Sequence, residues 1–175
     1  RLALDEEARG RRAEVLTLPF RLTGLGDALT VAAEVVAAAE AEARAATDEL
    51  DTAEMDELRR GLGEGAGRRR LARGTAGMVR DLKAAQKSRA TRVKRDALDR
   101  ALVDLAAFYR DVLVLTTGAT VALVHEDLRP QTERLAATVT PEQTLRLLDA
   151  VLAAREAVAA NVSPLLAVEA MTMAL

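Results

Sequence analysis

The 175-residue sequence has no Cys, no Trp, one His, one Tyr and two Phe. Without Cys there are no disulfides, thiolate zinc sites or Cys nucleophiles, and His125 alone cannot supply an imidazole-rich metal cage. Phe20, Phe108 and Tyr109 are too few aromatics for a β-sandwich or barrel, which lean on aromatic and β-branched residues. Only four Pro and ten Gly interrupt the chain, and no apolar run nears the ~20 residues needed to span a bilayer. It opens with Arg1 rather than Met and shows no secretory signal, so it reads as a cytoplasmic fragment of a longer protein. What is abundant is Ala (37), Leu (27) and Arg (22), all good helix formers. The expectation is an all-α fold, with a length that suits one domain.

The net charge of −2 hides a sharp segregation. From Arg59 to Arg95 there are thirteen bases and only two acids, Glu64 and Asp81. Like charges gathered on one segment repel and must be solvated or matched. Six of the ten glycines lie between Gly61 and Gly77, and Gly61, Gly63, Gly65 and Gly67 alternate so regularly that no helix is expected to cross them.

The periodicity predicts a short helix from Asp5 to about Leu18, ended by Pro19. A long helix follows from about Ala28 to Leu62, with Asp27 placed to cap it. Its apolar stripe, Leu25, Leu29, Ala32, Val36, Ala39, Ala43, Ala46 and Leu50, has heptad spacing. A capping box at Asp51 and Glu54 is a point where this helix could kink or split. A second long helix runs from Thr75 to Thr117, free of Pro and Gly from Met78 onward, about 60 Å of helix at 1.5 Å per residue. Its second half, with Leu98, Leu102, Leu105, Tyr109 and Val112 widened by Ala101, Phe108 and Leu115, reads as core. Its first half has a thin apolar face, Met78, Leu82, Ala85 and Val93, with Arg89 inside it. These features predict a bundle of residues 1–36 and 96–175 and a projecting antiparallel helical hairpin over 37–95, coiled-coil-like, with its Gly-rich turn at 61–74. Asp127 opens a short helix, Thr140-Pro141-Glu142-Gln143 is a helix start, and Leu145, Leu148, Val151, Leu152 and Val158 supply a buried face. Asn161 stops that helix, and Ser163-Pro164 begins a last segment apolar on almost every side.

No pattern calls for a catalytic residue, cofactor or metal. The Gly-rich loop lacks the strand and Gly-Lys-Ser/Thr context of a phosphate cradle and reads as a hairpin turn. His125-Glu126-Asp127 has no second His to finish a metal site and reads as a solvated helix entrance. On a helical wheel Arg80, Lys83, Lys87 and Lys94 fall within about 60°, a basic ridge with Arg68, Arg69 and Arg70 at its tip. Such a ridge can bind nucleic-acid phosphates, or it can be a solvated face. Turn arithmetic about Gly67 places Arg89 beside Ala46, and an ion pair to Glu42 or Glu49 is expected to fix the hairpin register. Leu165, Leu166, Val168, Met171 and Met173 exceed what a small bundle can cover and are expected to form an intersubunit surface.

Four stretches carry a family resemblance: residues 86–113 (QKSRATRVKRDALDRALVDLAAFYRDVL), Asp127-Leu128-Arg129-Pro130, Thr140-Pro141-Glu142-Gln143-Thr144, and residues 161–170 (NVSPLLAVEA). Together with the opening residues 1–9 they resemble the carboxy-terminal region of the delta-prime subunit of the bacterial DNA polymerase III clamp loader, in the form typical of G+C-rich bacteria. The excess of Arg over Lys, 22 to 3, agrees with a G+C-rich coding bias. The resemblance implies an all-helical collar domain that packs against the other loader subunits, gamma/tau and delta, with no ATP hydrolysis of its own; contact with membrane is not expected, because no apolar run is long enough. The Ala- and Arg-rich hairpin departs from a compact collar, and a basic hairpin that contacts DNA directly is the alternative role.

Overall fold

Several helix boundaries follow from local signals. The computed structural model describes residues 15–62 and 73–175. Among these it has no strand and five α-helices: α1 Leu25–Gly61, α2 Arg73–Thr117, α3 Arg129–Ala136, α4 Pro141–Ala159 and α5 Pro164–Ala174. Single 3-10 turns occur at Leu18–Phe20 and Glu126–Leu128. The fold is all-α. Most of the expected opening helix and of the Gly-rich turn, with Arg68, Arg69 and Arg70, lies outside the described residues.

α4 starts on a complete capping box: Thr140 Oγ1 accepts from Gln143 N at 3.2 Å and Gln143 Oε1 accepts from Thr140 N at 2.7 Å, with Pro141 leading the helix. It ends in a Schellman turn, with Val162 N donating to Ala157 O and Asn161 N to Val158 O, and Asn161 at φ +67°. α2 ends in the same way: Ala119 N donates to Val114 O and Gly118 N to Leu115 O. Gly118 there adopts φ +66°, a conformation that glycine reaches without steric cost. At the other end of the chain the capping expectation needs correcting. α1 begins at Leu25, so Asp27 lies in its first turn and accepts hydrogen bonds from the backbone N–H and hydroxyl of Thr23. α1 also runs unbroken through Asp51, whose carboxylate, like that of Glu54, is engaged by Arg89 instead of capping a new helix.

Contacts divide the chain into two units, one of residues 1–38 and 98–175, the other of residues 39–97. The first is a bundle. Its interior holds Leu98, Leu102, Leu105, Phe108, Tyr109 and Val112 of α2, joined by Val31 and Val35 of α1, Val151 and Val158 of α4, and Val168 and Met171 of α5. Phe108 meets Phe20 and Tyr109 edge to face, with ring centroids 6.3 and 5.9 Å apart, and burial pushes the Tyr109 phenol pKa up. Leu16, Phe108 and Val112 form a local cluster backed by Leu128, Leu135 and Val139. Two polar contacts lock helices together: Arg155 of α4 pairs with Asp99 of α2 at 2.8 Å, and Thr172 of α5 donates to Ala28 O of α1 at 2.9 Å.

The buried stripe of α1 differs from the heptad extrapolation. Ala28, Ala32, Val35, Ala39, Ala43 and Thr47 are buried, while Leu25, Leu29, Ala46 and Leu50 are exposed. A straight helix drifts about 20° per heptad from a 3.5-residue repeat, so the extrapolated stripe matches in the middle and leaves the seam at both ends. On α4, Leu145 and Leu152 are likewise exposed, and Thr144 and Ala154 take inward positions beside Val151 and Val158.

His125 is buried, which corrects its reading as a solvated entrance. Its backbone N–H and that of Val124 donate to Asp111 at 2.7 and 2.9 Å, and its Nε2 lies 3.2 Å from Asp104 O. Arg110 completes the clasp, donating to Asp111 and to Ala122 O. Burial raises the Asp111 pKa, but these donors together hold the carboxyl below its ordinary value. A fully buried carboxylate on α2 thus pins the irregular segment before α3, and the sequence pattern gave no sign of it because the partners are backbone groups.

Candidate interaction surfaces

Among the described helices α5 is the most apolar, with Glu169 its sole charged residue. One side packs inward through Ala167, Val168, Met171 and Thr172. The opposite side carries Leu166, 60% exposed, and Met173, 54% exposed, one heptad apart and with exposed Ala170 between them. Of the five residues expected to form a surface, Leu165, Leu166 and Met173 are exposed, whereas Val168 and Met171 belong to the bundle core. The correction follows from geometry: at 100° per residue, positions 167, 168, 171 and 172 fall within about 140° of one another, the side that Thr172 turns inward by its bond to α1. Leu145 and Leu152, expected inside, are exposed; α4 and α5 pack together and each leaves large aliphatic side chains uncovered.

The hairpin unit is built around a polar layer. Within residues 76–97, α2 turns Val79, Leu82, Gln86, Arg89 and Val93 to the seam, a 3-4 alternation, whereas Met78 and Ala85 are exposed. Arg89 donates to Glu54 at 3.0 and 2.6 Å and pairs with Asp51, and Gln86 Nε2 donates to Asp51 O at 2.9 Å and to Glu54 Oε2 at 3.2 Å. The hydrogen bonds from Arg89 and then Gln86 hold the Glu54 carboxyl below its ordinary value. The expected partners, Glu42 and Glu49, are not the ones Arg89 takes. Side chains lean toward the N-terminus of their own helix, so Arg89 reaches toward Arg73 and meets carboxylates further along α1 than its backbone opposite number.

The basic residues separate into two groups. Lys94 is drawn to α1, where its Nζ lies 3.1 Å from Glu40, so it leaves the predicted ridge. Arg80, Lys83 and Lys87 are exposed; Arg80 has only the adjacent Asp81 at 3.7 Å, with both side chains about four-fifths exposed. Arg95 lies on the same side and is partly exposed, a member of the ridge that the narrow wheel sector left out. Among the described residues no group of three or more His, Asp or Glu is arranged to hold a metal ion, and no helix is long and apolar enough to cross a membrane. Comparisons of this chain with protein-family models, with curated proteins and with solved structures find no match.

Proposed function

We propose that this chain is a non-catalytic docking module, a collar-type helical bundle through which a delta-prime-like subunit packs against the gamma/tau and delta subunits of a replicative DNA polymerase III clamp loader in the cytoplasm. The observation that carries the reading is the outer side of α5, where Leu166, Ala170 and Met173 stand uncovered on a helix whose other side is fully used by its own bundle. Exposed aliphatic side chains on an otherwise well-packed unit mark protein contact. The sequence resemblance in residues 86–113, 127–130, 140–144 and 161–170 supplies the identity of the partners.

The test is co-purification of the chain with separately expressed gamma/tau and delta subunits. Apolar association is expected to survive 1 M salt, because the Debye length there is about 3 Å and charge attraction is screened. Leu166→Glu combined with Met173→Glu should abolish co-purification while leaving the helical circular dichroism unchanged. Retention of the complex by that variant, or absence of any complex with the unaltered chain, refutes the reading.

A further inference from the structure

The hairpin unit has a charge distribution that its internal pairing leaves unbalanced. Over residues 39–62, α1 contributes eight acids against three bases; over 73–97, α2 contributes eight bases against two acids. Arg89 and Lys94 are consumed at the seam by Asp51, Glu54 and Glu40. Among the described residues Lys83, Lys87 and Arg95 make no ion pair. With Arg80 they lie along one side of α2, spread over 15 residues or about 22 Å of helix at 1.5 Å per residue. The other exposed positions between residues 80 and 95 are Asp81, Ala84, Ala85, Ser88, Thr91 and Arg92; Ala84, Ser88 and Thr91, which share the side of the four cations, are small, so that the helix backbone can approach a surface closely there while the long cations reach past it.

We infer that this face of α2 is a binding site for the phosphodiester backbone of double-stranded nucleic acid. Three features select that ligand. The face has no large apolar side chain to serve as the buried anchor that a protein interface uses, whereas phosphate contact needs none. The hairpin has no aromatic residue, since Phe20, Phe108 and Tyr109 all belong to the bundle, so the stacking platforms used for single strands are missing. The acids Asp48, Glu49, Asp56 and Glu57 are exposed on α1 and repel a polyanion, which orients α2 toward it. Contacts of this kind position a protein on a duplex without reading its sequence.

The experiment measures binding of the full chain to a fluorescent 30-base-pair duplex, to the matched single strand and to poly-glutamate, at 50 and 200 mM salt. Contact with two to four phosphates predicts that affinity for duplex falls about 10- to 200-fold across that range. Arg80→Gln/Lys83→Gln/Lys87→Gln/Arg95→Gln is expected to lose at least about 30-fold at 50 mM salt. The charge-preserving Arg80→Lys/Lys83→Arg/Lys87→Arg/Arg95→Lys set should retain binding, as should Arg44→Gln/Arg146→Gln, which removes two cations elsewhere. No duplex binding by the unaltered chain, equal binding by the neutralised variant, equal loss in the Arg44/Arg146 control, or tighter binding of the single strand or poly-glutamate overturns the assignment.

Discussion

From Leu98 to Val112, α2 buries Leu98, Leu102, Leu105, Phe108, Tyr109 and Val112; from Val79 to Val93 the same helix brings Gln86 and Arg89 to its seam among only a few aliphatics. Each buried aliphatic or aromatic side chain of the first kind contributes about 1.5–3 kcal/mol. In the second stretch the attraction of Arg89 for Asp51 and Glu54 is largely offset by desolvation, and what the layer provides is register. The bundle is held by apolar burial, which places no limit on what else its surface presents. The hairpin takes its register from a charge pattern that also determines which cations remain outside.

The most severe break of this contrast is Phe108→Ala, which removes a fully buried ring from the bundle and should cost about 3–5 kcal/mol in urea unfolding. Asp111→Ala follows, on the order of 3 kcal/mol, because the Val124 and His125 amides lose their acceptor inside the bundle. In the hairpin the logic reverses. Arg89→Leu alone should speed amide exchange over residues 43–58 and 79–93 by leaving Asp51 and Glu54 side by side without a counter-charge. Asp51→Ala/Glu54→Leu/Arg89→Leu should restore protection, since a polar layer replaced whole is nearly neutral.

Acid acts on both units through paired carboxylates. Glu54 and Asp111 both have folded pKa values below their ordinary 4.5 and 3.8, so the stability they contribute is complete above those values and is lost as pH falls through the folded ones. Asp111→Asn should flatten the acid-induced loss for the bundle, and Glu54→Gln that for the hairpin, each measured by amide exchange between about pH 5 and pH 2. The smallest effect is Thr140→Ala, about 1 kcal/mol through loss of the α4 capping box.

Local signals carried much of this fold in the sequence. The Thr140 box, the Asn161 stop and the α2 core stripe were legible because each depends on residues within one or two turns. Errors arose where a partner decides. The α1 stripe departed from its extrapolation as a 3.6-residue helix drifted from a 3.5-residue pattern, and Leu145, Leu152, Val168 and Met171 were sorted by which side α4 and α5 turn inward. Arg89 was recognised as needing a carboxylate, but the lean of side chains along a helix chose which one. The Asp111 clasp was invisible because backbone amides carry no sequence signature.

Under the proposed function, apolar docking falls to the bundle and the hairpin stays free for charge-driven contact. Amide exchange of the chain alone and mixed with gamma/tau and delta subunits, at 1 M salt, measures this directly. New protection is predicted within Pro141–Ala159 and Pro164–Ala174, with exchange over residues 43–58 and 79–93 unchanged. Protection confined to the hairpin, or none in α4 and α5, would contradict it.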